Sequence, residues 1–151
     1  MKKVLFVCLG NICRSPLAEA VFNQSAKKHG YEADSAGTAA YHIGESPDHR
    51  SIQVAKDHNV PIAHKARQFV AEDFERFDYV IAMDKNNYRN MKSLAKNDPA
   101  NLYMLRDFDP EADGDLDVPD PYYGGYDGFE HIYQIISRSV DRLIAHIEKE
   151  S

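Results

Sequence analysis

A cysteine and an arginine that bracket one short loop are the first candidates for chemistry in this sequence. Cys8 and Arg14 belong to the stretch Cys-Leu-Gly-Asn-Ile-Cys-Arg-Ser, which lies between an apolar run and Pro16. In a short loop between a strand and a helix, successive backbone N–H groups can point at one anion, and the helix N-terminus adds partial positive charge. Arg14 can donate two parallel hydrogen bonds to a phosphate, and the same field favours the thiolate form of Cys8. The loop therefore predicts a phosphate site with a sulfur nucleophile at its base.

The residues inside the loop favour a phosphate site with a sulfur nucleophile over a structural cysteine and over a nucleotide-binding loop. Gly10 and Asn11 tolerate the left-handed backbone angles that such a curl requires. If Cys8 were only a small buried residue and Arg14 a surface charge, an arginine followed by serine or threonine would stand at this offset roughly once in 150 cysteines by chance. A nucleotide-binding Walker loop is excluded, because no Gly-Lys-Ser or Gly-Lys-Thr follows the glycine.

A long acidic loop is the second candidate region. The stretch Arg106–Gly125 is interrupted by prolines, and its carboxylates are Asp107, Asp109, Glu111, Asp113, Asp115, Asp117 and Asp120. Long loops without regular structure are uncommon in small domains and are often functional. We therefore expect this loop to contribute to the site.

Apolar runs and helix-start signals predict the elements that position these loops. The segments Val4–Val7, Asp78–Ala82 and Asn101–Leu105 are typical of parallel strands buried on both faces. Predicted helix starts are Ser15 with Pro16, Ser46 with Pro47, Asp84, and a capping box of Asp127 with Glu130. The alternation predicts an α/β fold in three layers, a doubly wound parallel sheet with helices on both faces. Ligands bind such sheets at the carboxyl ends of the strands, where the Cys8 loop begins.

Composition limits the classes of protein to which the chain can belong. We expect a single domain over residues 1–151, a length that suits one core. A net charge of -6 argues against nucleic acid as a partner, since such binding depends on clustered lysine and arginine. The first apolar run breaks at Gly10, too early for a signal peptide or a membrane span, so we expect a cytoplasmic protein with no membrane partner. Cys8 and Cys13 are expected to be free thiols rather than a cross-link or a zinc site.

The chain resembles the low-molecular-weight protein tyrosine phosphatases over nearly its whole length. The resemblance rests on the segments Val7–Pro16, Ser35–Thr38, His64–Gln68, Ala82–Asp84 and Asp120–Tyr123. It implies a hydrolase of phosphotyrosine that needs no metal and no cofactor, on a four-stranded parallel sheet of order 2-1-3-4. It further implies that phosphotyrosine proteins are substrates, that phosphate and vanadate bind in the active site, and that the chain is a monomer or a weak dimer.

The resemblance also assigns roles to individual residues. Cys8 is implied to be the nucleophile, Arg14 to bind the phosphate, and Asp120 to act as general acid and then as base. The implied substrate-binding positions are Leu9, Gly10, Asn11, Ile12, Cys13, Ser15, Tyr41, Tyr122 and Tyr123. The three tyrosines could wall a slot so deep that phosphoserine cannot reach the sulfur, although ordinary half-buried tyrosines would give the same pattern.

Two further residues have implied supporting roles. Cys13, in the same loop as the nucleophile, is expected to capture an oxidised Cys8 as a reversible disulfide. His64 is expected to hydrogen-bond beneath the loop, and a core histidine satisfied by a backbone carbonyl is the alternative. The remaining histidines share no ligand spacing with the cysteines, so no metal site is expected.

Three other functions remain open at this point. An arsenate reductase of the same fold needs further cysteines to pass a disulfide outward, and the sequence contains only Cys8 and Cys13. A phosphocysteine carrier of a sugar-uptake system would have no use for Asp120. A module that binds phosphotyrosine without cleaving it would suit a chain lacking Cys8 or Asp120, whereas both are present.

Overall fold

A four-stranded parallel sheet lies at the centre of the molecule. The computed structural model describes residues 2–122 and 124–150, and its strands are β1 (Lys3–Cys8), β2 (Glu32–Gly37), β3 (Tyr79–Ala82) and β4 (Leu102–Met104). Neighbouring strands are parallel and follow the order β2-β1-β3-β4, which confirms the predicted doubly wound sheet. The winding direction reverses between β1 and β3, so the ligand-binding crevice of such a sheet lies where Cys8 ends its strand.

Helices cover both faces of the sheet. They are α1 (Arg14–Ala26), α2 (His49–Asp57), α3 (Asp73–Arg76), α4 (Lys85–Leu94) and α5 (Tyr126–Glu150). The apolar sides of α1, α2 and α5 pack on one face together with Val4 and Phe6. Leu5 and Val7 point to the opposite face, where Met91 of α4 joins them. Because all four of these β1 residues are completely buried, the segment has no polar position, which explains its continuous apolar run.

Two of the predicted helix starts lie too late in the sequence. α1 begins at Arg14, ahead of the expected cap Ser15, whose hydroxyl instead lies 2.9 Å from Cys8 Sγ. α5 begins at Tyr126, so Asp127 lies inside the first turn and does not cap the helix. In both cases the helix starts earlier than the capping pattern indicates.

The starts of α2 and α4 depend on aspartates. α2 begins at His49 rather than after Ser46, because Asp48 accepts the N–H of Arg50 at 2.9 Å and caps the helix. Asp84 caps α4 as predicted. Within the described ranges, no helix is both long and apolar enough to cross a membrane.

Candidate active site

The loop that follows β1, residues 8–15, curls around the sulfur of Cys8 and is called the anion loop below. Asn11 adopts the predicted left-handed conformation, with φ of 59°, and its backbone N–H donates to Cys8 Sγ at 3.3 Å. The hydroxyl of Ser15 lies 2.9 Å from the same sulfur. Because Asn11 Nδ2 donates to the Ser15 oxygen, the hydroxyl hydrogen can point at Cys8. Both contacts stabilise a sulfur anion at this position.

Gly10 serves the loop in a different way from the prediction. Its φ is not positive, so no left-handed turn requires a glycine here. Instead, a Cβ at this position would lie 3.0 Å from the His42 ring. Gly37, at the end of β2, acts similarly, since a Cβ there would lie 2.7 Å from the carbonyl oxygen of Leu9. The two glycines therefore let the anion loop pack closely against its neighbours.

The side chain of Asn11 fixes the anion loop to the residues beneath it. Nδ2 donates to Ser15 Oγ at 2.8 Å and to Ser35 Oγ at 3.0 Å. Oδ1 accepts from the backbone N–H of Arg67 at 3.0 Å and from His64 Nε2 at 2.7 Å. A backbone N–H can only donate, so it fixes the orientation of the amide, and His64 must then carry a proton on Nε2.

His64 therefore reaches the anion loop through Asn11 rather than by contacting Cys8. Burial lowers the pKa of the imidazole more than the charge of Asp34 raises it. Its Nδ1 atom faces Glu19 Oε1 at 3.1 Å. Burial raises the pKa of the Glu19 carboxyl to about 7.

Arg14 is buried at the end of the anion loop and contacts two other parts of the site. Its Nη1 atom donates to Asp84 Oδ2 at 2.7 Å and to the carbonyl oxygen of Val118 at 2.9 Å. Burial alone would lower the pKa of Arg14, but the neighbouring Cys8 and Asp84 charges raise it, so the guanidinium stays charged. Both contacts use Nη1, which leaves the Nε and Nη2 edge for a bidentate interaction with a phosphate.

Asp120 lies on the surface of the acidic loop, close to two anchored backbone positions. Its Oδ1 atom accepts the N–H of Tyr122 at 3.0 Å, which turns the chain just after the carboxylate. On the other side, the N–H of Val118 donates to the carbonyl of Met83 at 2.8 Å, and Arg14 holds the Val118 carbonyl. The Asp120 carboxylate thus lies on a segment that is fixed to the residue following β3 and to the anion loop.

Arg50 anchors the acidic loop on the far side of Asp120, and the sequence analysis did not single it out. Its guanidinium donates to the carbonyl oxygens of Tyr122 at 2.8 Å and Gly124 at 2.7 Å. Asp48 holds the same guanidinium through two hydrogen bonds, both of 3.0 Å, and raises its pKa. The only sequence signal was the Asp48 cap of α2, which the prediction placed at Ser46.

The N-terminus of α2 also contacts the anion loop. The N–H of Asp48 donates to the carbonyl of Ile12 at 2.7 Å. The hydroxyl of Ser51, which is completely buried, donates to the carbonyl of Cys13 at 3.1 Å. A single helix end therefore holds the loop that contains Cys8 and, through Arg50, the loop that contains Asp120.

These elements enclose an open cavity of about 310 Å³ above the sulfur. Its lining residues are Cys8, Leu9, Gly10, Ile12, Cys13, Arg14, Tyr41, His42, Asp120 and Tyr122. Asn11 and Ser15 lie behind this surface and shape it, and His42 is a lining residue that sequence reasoning missed. Tyr41, with 76% of its surface exposed, stands at the rim. The predicted site residue Tyr123 lies outside the described residues.

Cys13 is a second thiol in the anion loop. Like Cys8 it is free and buried. Burial raises the pKa of the Cys13 thiol, and the negative charges of Asp48, Cys8 and Asp120 raise it further. While Cys8 carries a negative charge, Cys13 is therefore protonated at neutral pH and does not compete with Cys8 as the nucleophile.

Comparisons with other sequences identify relatives over the whole chain. The family model for low molecular weight phosphotyrosine protein phosphatase matches residues 3–151. A putative low molecular weight protein-tyrosine-phosphatase of Synechocystis is 46% identical and covers 98% of this chain and 98% of its own length. The human low molecular weight phosphotyrosine protein phosphatase is 44% identical, covering 88% of this chain and 87% of its own.

Solved structures of phosphatases are also similar to this chain in fold. A protein tyrosine phosphatase of Entamoeba histolytica, crystallised with Hepes in the active site, has a TM-score of 0.93 and 38% identity over 99% of both chains. Vibrio vulnificus Wzb in complex with benzylphosphonate has a TM-score of 0.86 and 28% identity, covering 96% of this chain and 98% of its own. Drosophila arginine phosphatase has a TM-score of 0.90 and 33% identity over the full length of both chains.

Proposed function

The chain belongs to the low molecular weight phosphotyrosine protein phosphatase family and is a protein tyrosine phosphatase, and we propose that it works through a covalent phosphate on Cys8. One observation carries this proposal: the sulfur of Cys8 accepts the N–H of Asn11 at the base of a cavity that Arg14 and Asp120 also line. Nucleophile, anion-binding group and acid thus share one pocket.

In the first half of the reaction, the phosphate group is transferred to sulfur. The N–H groups of the anion loop and the free edge of Arg14 bind the phosphate oxygens. The Cys8 thiolate attacks phosphorus, and the S–P bond forms as the P–O bond to the tyrosine breaks. Asp120 gives its proton to the departing phenolate oxygen, which otherwise leaves poorly. Since the transition state is loose, positioning and charge stabilisation supply most of the acceleration.

In the second half, water removes the phosphate from sulfur. The Asp120 carboxylate accepts a proton from a water molecule as that water attacks phosphorus. The S–P bond breaks, inorganic phosphate leaves and the Cys8 thiolate is restored. Ser15 and Asn11 support the thiolate in both halves, and His64 supports Asn11 from behind.

The aromatic rim of the cavity supports phosphotyrosine as the substrate class. Tyr41 and Tyr122 line it and can stack on the ring of a phosphotyrosine whose phosphate rests on the anion loop. Tyr123, which the family resemblance also implies as a substrate-binding residue, lies outside the described residues. Small aryl phosphates should be substrates, and phosphate and vanadate should occupy the anion loop.

The alternative functions have less support. An arsenate reductase would need a further cysteine. A non-catalytic binding module would have no use for Asp120, whose backbone is anchored on either side by Arg14 and Arg50. Phosphoarginine is worth testing as a rival substrate, because a Drosophila arginine phosphatase shares the fold.

The cellular setting is proposed as well. We propose one catalytic domain over residues 1–151, since all strands belong to one sheet. We propose a monomer or weak dimer, as the family resemblance implies. A reducing compartment such as the cytoplasm would keep Cys8 and Cys13 as the free thiols that the mechanism requires.

The decisive test is turnover of a phosphotyrosine peptide and of p-nitrophenyl phosphate in the presence of a metal chelator, with phosphoserine and phosphoarginine as controls. We expect both aryl phosphates to be hydrolysed and vanadate to inhibit. Hydrolysis of phosphoarginine in preference to phosphotyrosine would contradict the proposed substrate.

Variants test the assigned roles. Cys8→Ser should abolish turnover while vanadate still protects the protein against unfolding. Asp120→Ala should reduce kcat/KM for phenyl phosphate far more than for p-nitrophenyl phosphate, whose leaving group needs less protonation. Asp127→Ala, which removes an exposed acid of α5, is the matched control. Equal losses on the two substrates would remove Asp120 from its role.

A further inference from the structure

Exposed apolar side chains are concentrated around the mouth of the catalytic cavity. Within the described ranges, seven large apolar residues are exposed. Three of the seven line the cavity, namely Leu9, Tyr41 and Tyr122. A fourth, Ile43, directly follows the lining residue His42 in the chain. Since exposed apolar surface that is gathered in one place marks a site where another molecule binds, this mouth is a candidate docking surface.

Ile43 stands at the tip of a turn, where an exposed apolar side chain is uncommon. The N–H of Glu45 donates to the carbonyl of His42 at 2.9 Å, and Gly44 has φ of 83°, which fits the third position of a type II turn. Ile43 therefore occupies the second position, where proline and polar residues are usual. The turn does not require a branched apolar residue there, and yet 57% of the surface of Ile43 is exposed. The side chain is thus available to a partner.

The loop that carries Ile43 is fixed on both sides of its tip. Before the tip, the N–H of Ala39 donates to the carbonyl of Leu9 at 2.9 Å and joins the loop to the anion loop. After the tip, the N–H of Gly44 donates to the carbonyl of Ala66 at 2.8 Å. The tip is therefore held beside the cavity before a substrate arrives, so little freedom of the loop is lost on contact.

The occupant that fits this surface is the polypeptide that carries the phosphotyrosine. When the phosphate rests on the anion loop, the chain on either side of the phosphotyrosine must cross the mouth of the cavity. Neighbouring Cα atoms are about 3.8 Å apart, so the residues just before and just after the phosphotyrosine lie within reach of the mouth. Leu9 and Tyr41 belong both to the cavity and to the exposed apolar surface, which makes the two continuous.

We propose that Leu9, Tyr41 and Ile43 form a subsite for an apolar residue adjacent to the phosphotyrosine of a protein substrate. The subsite rests on the proposed phosphatase function and adds a means of choosing among phosphotyrosine proteins. Leu9 and Tyr41 also line the cavity, whereas Ile43 does not. Ile43 is therefore the residue through which the subsite can be tested without altering the cavity.

The test compares three phosphotyrosine peptides, one with serine on both sides of the phosphotyrosine and two with leucine either before or after it. We expect the wild-type kcat/KM to be about fivefold higher for one leucine peptide than for the serine peptide, since more than half of the surface of Ile43 remains to be buried. The advantage should persist in high salt, because an apolar contact is not screened. A preference that salt abolishes would instead arise from charge and would overturn the subsite.

Two variants of Ile43 locate the effect. In Ile43→Ser the advantage of leucine should disappear, while kcat/KM for the serine peptide and for p-nitrophenyl phosphate changes less than twofold. Ile43→Thr keeps the branched Cβ but replaces a carbon by a hydroxyl, and should reduce the advantage to about twofold or less. Thermal melts verify that both variants are folded at the assay temperature.

Leu94→Ser is the matched control. It removes an equally apolar residue, 48% exposed, from the end of α4, the helix that leads away from the carboxyl end of β3. Its preference for leucine should equal that of wild type. A wild type that does not distinguish leucine from serine would overturn the subsite, as would a preference that survives in Ile43→Ser or falls equally in Leu94→Ser. A wild type that does not hydrolyse p-nitrophenyl phosphate would overturn the proposed function and the subsite with it, so the two failures are distinguishable.

Discussion

Replacing Arg50 should damage the acid step of the reaction without touching the nucleophile. Arg50 is about 25% exposed and holds the acidic loop through the carbonyls of Tyr122 and Gly124. A hydrogen bond from a charged donor contributes about 1.5 kcal/mol at the lower end of the usual range, so the pair contributes about 3 kcal/mol. Competition from water at a partly exposed site reduces this to about 2 kcal/mol.

That energy sets the size of the expected kinetic effect. If Asp120 is correctly placed only while the loop is held, losing about 2 kcal/mol reduces the equilibrium constant between the held and released loop about 30-fold, which is the largest fall in productive population that it can cause. In Arg50→Ala, kcat/KM for phenyl phosphate should therefore fall by up to about 30-fold. For p-nitrophenyl phosphate the loss should stay within about threefold, since that leaving group depends little on protonation. In Arg50→Lys, kcat/KM for phenyl phosphate should lie between the values for wild type and Arg50→Ala, because an ammonium group cannot reproduce the planar pair of donors.

The assay is a leaving-group series of aryl phosphates measured on wild type, Arg50→Ala and Arg50→Lys. Arg142→Ala is the control, because it removes an exposed arginine of α5. Thermal melts verify that each variant is folded at the assay temperature. If Arg50→Ala slows both substrates equally, or neither, then the tether does not position Asp120 and the reasoning is refuted.

Three further predictions concern the acidic loop, the rim and the second thiol. The pKa of the fully buried Asp109 carboxyl is lowered because its hydrogen bonds to Arg138 and Arg106 outweigh the effect of burial. The charged carboxylate therefore stabilises the fold above pH about 4, and this stabilisation is lost as the pH falls further. Asp109→Asn should reduce the free energy of unfolding, measured in urea, by about 3 kcal/mol at pH 7, and the difference from wild type should shrink in acid. Tyr41→Ala should raise KM about fivefold with kcat unchanged for both a phosphotyrosine peptide and p-nitrophenyl phosphate, because both contain the aromatic ring on which Tyr41 stacks and that stacking contributes about 1 kcal/mol. After prolonged peroxide treatment, dithiothreitol should restore activity in wild type but not in Cys13→Ser, since a Cys8 sulfenic acid that no thiol captures is oxidised by further peroxide to the irreversible sulfinic acid.

The sheet and the anion loop could be predicted because their signals are local. Val4–Val7 is apolar at every position because both faces of β1 are covered, and the ligand crevice of a doubly wound sheet lies at its strand ends. Asn11 is a residue type that tolerates positive φ, and its observed φ of 59° confirms that expectation. The family resemblance, rather than a local signal, implied the substrate-binding role of the loop residues Leu9, Gly10, Ile12 and Cys13, which line the cavity.

The contacts between distant segments could not be predicted from one sequence. Arg50 and Val118 have no local motif that relates them to Asp120, and their roles appear only when α2 and the acidic loop are brought together. Helix starts failed where a capping residue has a tertiary partner that local rules do not include, as with Ser15 and Cys8. Gly10 was assigned a conformational role, whereas the space that it leaves is occupied by His42, a neighbour distant in sequence.

Arg14 explains why the phosphate site and the acid are positioned together. Its Nη1 atom is held by Asp84, the cap of α4, and by the carbonyl of Val118 in the acidic loop. The plane of the guanidinium is therefore set before a substrate arrives, so little rotational freedom is lost when a phosphate binds to its other edge. A lysine at this position could neutralise the phosphate, but its single ammonium group could not contact Asp84, Val118 and two phosphate oxygens in one plane. In the proposed mechanism, arginine is thus required here both to bind the transferred group and to hold the loop that carries its proton donor.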